Sequence, residues 1–147
     1  MLNTLLLTLL TLQAGPLAAQ SAALQLLRSA KTLSCSFDSG TTVFLNRYPP
    51  EPVRDSVPGP ITFDGIDRSA GRAHMVATDT AGSVQVIAEL DALTFVDAAP
   101  LGVSIYTVFA RFAPGARPQE LAAVVSTHIS GIVPAAQLLY GKCRVLN

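Results

Sequence analysis

The chain of 147 residues lacks tryptophan, has two histidines and two cysteines, and carries no charged side chain before Arg28. Its ten basic and ten acidic residues balance, without a run of lysine or arginine. Nucleic-acid binding therefore has no electrostatic support, and the absence of tryptophan argues against a tryptophan-rich sugar-binding platform. Zinc-type spacing of histidine and cysteine, a phosphate-binding glycine loop and a Gly-x-Ser-x-Gly elbow are also missing. We therefore predict neither a metal nor a cofactor.

The uncharged N-terminal segment has the pattern of a secretory signal peptide. Leucine dominates residues 5–12, Gly15-Pro16 follows, and Ala18-Ala19-Gln20 supplies the small residues of a cleavage site. We predict a signal peptide over residues 1–19, cleavage after Ala19, and a periplasmic or secreted location. The alternatives are a retained anchor and a buried hydrophobic helix. The apolar run falls slightly short of the ~20 residues of a membrane span, and we expect no integral span after cleavage.

Residues 20–147 have the length of a single domain. Cys35 and Cys143 are its only cysteines, and an even pair in an exported chain predicts a disulfide bond. Such a bond would close a loop of about 100 residues, which is worth roughly 4–5 kcal/mol in the chain-entropy model. It would tie the first predicted strand to the last.

From Lys31 onward the sequence has patterns that are typical of β-strands. Apolar and polar residues alternate over 32–37, Asp38-Ser39-Gly40 indicates a turn, and 41–45 continues as a strand, which predicts a hairpin. Residues 47–60 hold five prolines and are predicted to form a loop without a strand. Residues 21–30 fit a short helix or an extended lead-in. The other predicted strands are 61–66, 72–77, 83–90, 92–97, 103–110, 119–130 and 138–145.

The spacing of these strands indicates how they are arranged. Strands about ten residues apart, with Gly or Pro turns between them, are typical of an antiparallel meander. We predict an all-β domain of eight or nine strands that closes into a small barrel, because closure removes the exposed sheet edges. A two-layer β-sandwich is the alternative fold.

Ser126 and His128 are the candidates for a catalytic pair. Two residues apart in a strand, they would share one face with their Cα atoms about 6.6 Å apart. A hydrolase also needs an acid and an oxyanion hole, and the sequence reveals neither. The alternative interpretation is a solvated strand face or a structural hydrogen bond. His74 is predicted to lie at the surface, and Asp64 and Asp67 to cap turns.

The predicted strands contain a set of short motifs. They are Phe63-Asp64-Gly65-Ile66-Asp67, Gly71-Arg72-Ala73-His74-Met75-Val76, Leu93-Thr94-Phe95-Val96, Tyr106-Thr107-Val108-Phe109, Ser126-Thr127-His128, and the set Pro134, Gln137, Tyr140-Gly141 and Cys143. Over residues 33–143 this pattern resembles a family of small exported bacterial β-proteins of unknown function. Members of that family usually have an arginine where this chain has Thr127, and their Pro and Gln lie closer together. The resemblance implies export and β-structure, and it implies no particular activity.

These observations favour an exported, non-catalytic β-domain that acts as a binding or envelope-associated module. A barrel filled by side chains would bind through its loops or one face, for example to an envelope protein. A hollow barrel could hold a small apolar ligand. The alternatives are a hydrolase that uses Ser126 and His128, and a secreted inhibitor whose loop 48–60 inserts into a target.

Overall fold

The computed structural model describes residues 15–46, 48–78, 80–115, 117 and 119–146. Residues 1–14, most of the predicted signal peptide, lie outside this part of the chain. The elements are α1 Gly15–Ser29, β1 Thr32–Phe44, β2 Pro52–Asp55, β3 Ile61–Asp67, β4 Arg72–Val76, β5 Ala81–Ala88, β6 Ala92–Ala99, β7 Gly102–Phe112, β8 Glu120–Ile129 and β9 Ala135–Leu146.

Eight of the strands form a closed antiparallel barrel. From β3 to β9 each strand pairs with the next along the chain, and β1 closes the ring by pairing with both β3 and β9. β2 is an extra strand that pairs with the second half of β1. The predicted barrel is confirmed, and the two-layer sandwich is not the fold.

The predicted hairpin at Asp38-Ser39-Gly40 is wrong. β1 runs without interruption from Thr32 to Phe44, and its register with β9 shifts between Ser36 and Ser39. The turn-forming residues therefore make a bulge, which bends a strand without ending it. β1 and β9 approach each other closely beside the bulge, and a Cβ atom on Gly141 would overlap the carbonyl oxygen of Ser36.

The prediction that residues 47–60 contain no strand is also wrong. Pro52–Asp55 form β2, which pairs with Gly40–Val43 of β1. Its proline stands at the first position of a strand at the sheet edge, where a missing N–H group is tolerated.

Residues 21–30 are largely helical, which decides between the two open predictions for them. Ala23 and Leu27 of α1, and Ala30 just after it, are buried in the core. Arg68, in the turn between β3 and β4, donates hydrogen bonds to the carbonyl oxygens of Leu27 (2.6 Å) and Ala30 (2.9 Å). These bonds satisfy carbonyl groups that the end of a helix leaves free. We call the end of the barrel that α1 covers the helix end.

The interior of the barrel is filled by side chains. Phe63 stacks on Phe95 with ring centroids 4.0 Å apart, and Tyr106 meets Phe63 edge-on at 5.2 Å. Phe37 lies 5.8 Å from Tyr106. Aliphatic side chains of the surrounding strands complete this core. The surfaces that a partner can reach are therefore the two ends and the outer wall of the barrel.

The predicted disulfide bond is confirmed. Cys35 and Cys143 are bonded across 108 residues and are directly opposite each other in β1 and β9. The bond therefore joins the first and the last strand of the closed ring. Structural disulfides are typical of oxidising compartments, which is consistent with a periplasmic or extracellular environment.

Candidate functional site

Ser126 and His128 lie on the outer face of the barrel wall. In the register of β8, Ser126 is opposite Ile105 and Leu138. His128 is opposite Val103 and Ala136, and its side chain is exposed. None of these four cross-strand neighbours can supply the acid that would orient a catalytic histidine. The pair shares a face, as predicted, but the positions beside it are apolar.

The other candidate residues have structural partners. The exposed His74 of β4 is opposite Asp64 and Ser83. Asp67 caps the turn after β3, as predicted, because its Oδ1 accepts hydrogen bonds from the backbone N–H groups of Ser69 (3.0 Å) and Ala70 (2.9 Å). No group of three His, Cys, Asp or Glu residues able to hold a metal ion occurs among the described residues.

The end of the barrel opposite α1, here called the open end, contains a row of polar residues that face inward. They occupy directly opposite positions on five neighbouring strands, from β6 through β7, β8 and β9 to β1. The row consists of Asp97, Ser104, Thr127, Gln137 and Thr42. Within it, the hydroxyl groups of Ser104 and Thr127 are 3.0 Å apart and share a hydrogen bond. A polar layer therefore lies between the apolar core and the open end.

Asp55 of β2 joins this polar row from the side. Its Oδ2 accepts hydrogen bonds from the Thr42 hydroxyl (2.5 Å) and from Nε2 of Gln137 (2.8 Å), and its Oδ1 accepts one from the N–H group of Ser56 (2.8 Å). The bond from Thr42, followed by the one from Gln137, lowers the pKa of Asp55 below its ordinary value. One carboxylate thus ties β2 to both β1 and β9.

Tyr106 connects the aromatic core to the same polar row. Its ring packs among the phenylalanines, and its cross-strand neighbour Phe95 precedes Asp97 by two residues. Burial raises the pKa of Tyr106, and the charge of Asp97 raises it further, whereas a hydrogen bond from Ser104 acts in the opposite direction. Tyr106 therefore stays neutral at physiological pH.

Beyond the polar row, three adjacent connections carry exposed apolar side chains. They are the segments that follow β1, join β6 to β7 and join β8 to β9. Backbone hydrogen bonds hold them together, from Leu45 N–H to the Pro134 oxygen (2.9 Å) and from Ser130 N–H to the Leu101 oxygen (2.9 Å). The apolar side chains are Leu45, Leu101, Ile132 and Val133, and we call these four residues the apolar rim.

The apolar rim is well exposed and uncharged. Leu101 is 67% exposed, Leu45 is 55% exposed, and Ile132 is fully exposed. The chain has no charged residue from Ala98 to Gly102 or from Ile129 to Pro134. A clustered apolar surface of this kind, as opposed to scattered single residues, is typical of an interaction site.

No family model matches this chain, and comparisons with curated proteins and with solved structures found no match either. The resemblance to small exported β-proteins therefore stays a prediction. None of the helical segments in the described part of the chain is long and apolar enough to cross a bilayer.

Sequence reasoning missed both features of the open end. Asp55 lies in the segment that was predicted to be only a loop, so its bonds to Thr42 and Gln137 could not be anticipated. The rim leaves a weak signal in the sequence, because Ile132 and Val133 stand between Gly131 and Pro134, where a surface turn usually has polar residues.

Proposed function

We propose that this protein is an exported, non-catalytic module that associates peripherally with the surface of a lipid bilayer through its apolar rim. The single observation that carries the proposal is the exposure of four uncharged, apolar side chains on adjacent connections at one end of a rigid barrel. The occupant that we assign to the rim is the apolar layer just below the lipid headgroups.

The energy available to the rim fits reversible binding. Moving a Leu, Ile or Val side chain out of water is worth roughly 1.5–3 kcal/mol, so four such residues supply roughly 6–12 kcal/mol at most. Partial burial in the free protein and the lost freedom of the bound protein reduce this gain. A single acyl chain likewise gives only reversible membrane binding.

The shape and charge of the rim favour a bilayer over a rigid protein partner. Its side chains protrude from separate connections, and the fully exposed Ile132 is their most prominent member. A fluid apolar layer accepts separate protrusions, whereas a protein interface needs a complementary packed surface. The exposed Tyr48, on the connection that also carries Leu45, is an aromatic residue of the kind enriched at membrane–water interfaces.

The N-terminal segment supports export without loss of the fold. The predicted cleavage after Ala19 falls inside α1, where Leu17–Gln20 are exposed and Ala23 is the first buried residue among those whose burial the structure describes. A chain cut at this point would keep the buried residues of the described helix. We therefore propose that the exported protein begins near Gln20 and folds with the shortened helix in place.

Co-sedimentation with vesicles of neutral phosphatidylcholine tests the proposed function. We expect the protein to sediment with the vesicles, and we expect the double substitution Leu101→Ser and Ile132→Ser to lower its partition coefficient at least tenfold, since roughly 3–6 kcal/mol of apolar transfer is lost at most. Raising the salt concentration should change binding little, because the rim is uncharged.

Leu90→Ser is the matched control. Leu90 is 78% exposed, but it lies in the turn between β5 and β6 at the helix end. Its substitution should leave vesicle binding unchanged. The proposal is wrong if the natural protein does not sediment with vesicles, or if Leu90→Ser weakens binding as much as the rim substitutions. A dimer in sedimentation velocity that Ile132→Ser dissociates, without vesicle binding, would instead identify a second copy as the occupant.

A further inference from the structure

A cleft of about 290 Å³ lies on the outer wall where β8, β9 and β1 meet near the helix end. Its lining combines three basic side chains, one acidic side chain and two hydroxyl groups. These residues are Arg117, Lys142, Arg144, Glu120, Ser34 and Ser36. The volume is close to the lower bound of small-molecule sites, which begin at roughly 300 Å³.

The strand register fixes the floor of the cleft. Ser34 is directly opposite Arg144, and Ser36 is directly opposite Lys142. Between these two pairs, Cys35 and Cys143 are joined by the disulfide bond and face the core. The covalent link therefore fixes the spacing of the backbone positions that carry these hydroxyl groups and cations.

Glu120 contacts Lys142 and the backbone of Arg117, and it is directly opposite Arg144 in the register of β8 and β9. Its Oε2 lies 3.2 Å from the ammonium group of Lys142 and accepts a hydrogen bond of 3.0 Å from the backbone N–H of Arg117. The bond from Arg117 is the largest cause of a lowered pKa for Glu120, and Lys142 acts in the same direction. Glu120 thus stays ionised and holds the backbone of Arg117 beside the cleft.

The cleft keeps an excess of positive charge in a chain that is neutral overall. Three cations and one carboxylate leave two positive charges, whereas the formal net charge of the whole chain is zero. No carboxylate of the described residues forms an ion pair with Arg117 or Arg144. Their guanidinium groups, which can bind oxyanions through two parallel hydrogen bonds, are therefore available to a ligand.

We propose that this cleft binds the dianionic phosphate group of a phosphomonoester. Arg117 and Arg144 would donate to the phosphate oxygens, Lys142 would add charge, and Ser34 and Ser36 would donate from the floor. Two unbalanced positive charges match a dianion, and donors that come from two strands and a connection suit a tetrahedral group. The site lies about 30 Å along β9 from the rim, so it is independent of the proposed membrane contact.

Titration of the full chain with phenyl phosphate, followed by amide and guanidinium NMR shifts at constant ionic strength, tests this site. We expect saturable shifts at Ser34, Ser36 and Arg144, with weaker binding of benzoate and phenyl sulfate, which carry a single negative charge. Binding should tighten from pH 5 to pH 7, because a phosphomonoester takes its second charge near pH 6. Glu120 stays ionised over this range, because its hydrogen bond from the Arg117 N–H group and the nearby Lys142 lower its pKa.

The substitutions Arg144→Gln and Arg117→Gln should each weaken phenyl phosphate binding about tenfold or more, because each removes a charge-assisted hydrogen bond. Arg72→Gln is the control, since it removes an exposed arginine from β4 on another part of the wall. Equal weakening by Arg72→Gln, or no weakening by either cleft substitution, would overturn the proposal. Benzoate binding as tight as that of phenyl phosphate would also overturn it.

Discussion

Apolar side chains are buried under a helix at the helix end of the barrel and exposed at its open end. At the helix end, Ala23 and Leu27 of α1 pack into the core, and Arg68 caps the last carbonyl groups of the helix. At the open end, the rim residues Leu101 and Ile132 remain exposed, and no helix covers them in the described part of the chain.

The polar row explains why the rim is not an extension of the core. Ser104 and Thr127 are hydrogen-bonded between the buried side chains of the barrel and the exposed side chains at the rim. Gln137 of β9 lies in the same polar row and donates a hydrogen bond to Asp55. If the rim were part of the core, apolar side chains would continue from the core to the rim without a polar row between them. The difference between the ends therefore indicates that α1 serves stability, whereas the rim is available for association.

The largest loss of stability is expected when a buried side chain at the helix end is replaced by alanine. The same replacement of an exposed side chain at the open end provides the comparison. We expect Leu27→Ala to reduce the free energy of unfolding by about 2–5 kcal/mol, because it leaves a cavity under α1. Ile132→Ala should change it by less than about 0.5 kcal/mol, because the side chain is exposed. Urea unfolding of both variants, followed by circular dichroism, measures the two values. Similar losses at the two positions would remove the distinction between the ends.

A smaller effect is expected from the cap of α1. Arg68→Gln should reduce the free energy of unfolding by about 1–3 kcal/mol, because the carbonyl groups of Leu27 and Ala30 lose a charged donor. The exposed Arg72 provides the control, and Arg72→Gln should cost less than about 0.5 kcal/mol. Urea unfolding together with hydrogen exchange of the α1 amides would show whether the loss arises at the helix. An unchanged midpoint for Arg68→Gln would mean that the cap does not hold the helix in place.

Much of the barrel was predictable from the sequence, because its strands alternate regularly. Leu33, Cys35 and Phe37 all point inward, as their period of two requires. The same period could not distinguish a hairpin from a bulged strand at Asp38-Ser39-Gly40, since both use turn-forming residues. The pairing of Gly40 with both Asp55 and Leu139 decides between them, and such long-range pairing is not encoded in any local pattern.

The candidate sites were less predictable for the same reason. Ser126 and His128 attract attention as residue types, but the positions opposite them are apolar. The cationic cleft joins Arg117 and Arg144, which are far apart in sequence and come together only because β8 pairs with β9. Spacing within a segment cannot reveal a site that is assembled by the register between segments.

The smallest of these effects concerns Asp55, which anchors the polar row at the open end. We expect Asp55→Asn to lower the free energy of unfolding by about 0.5–1 kcal/mol at pH 6, because the bonds from Thr42 and Gln137 lose their charged acceptor. Asp38→Asn, which changes an exposed carboxylate near the bulge of β1, is the control and should leave the stability unchanged.

The pH dependence of this difference follows from the direction of the pKa shift. The pKa of Asp55 is lower in the folded protein than in the unfolded chain, where it is about 3.9. The folded protein therefore gains stability from the carboxylate above that value and loses it as the pH falls through the folded pKa. The difference in urea midpoint between the natural protein and Asp55→Asn should be full at pH 6 and shrink below about pH 4. A difference that stays constant down to pH 2 would show that the charge of Asp55 does not stabilise the open end.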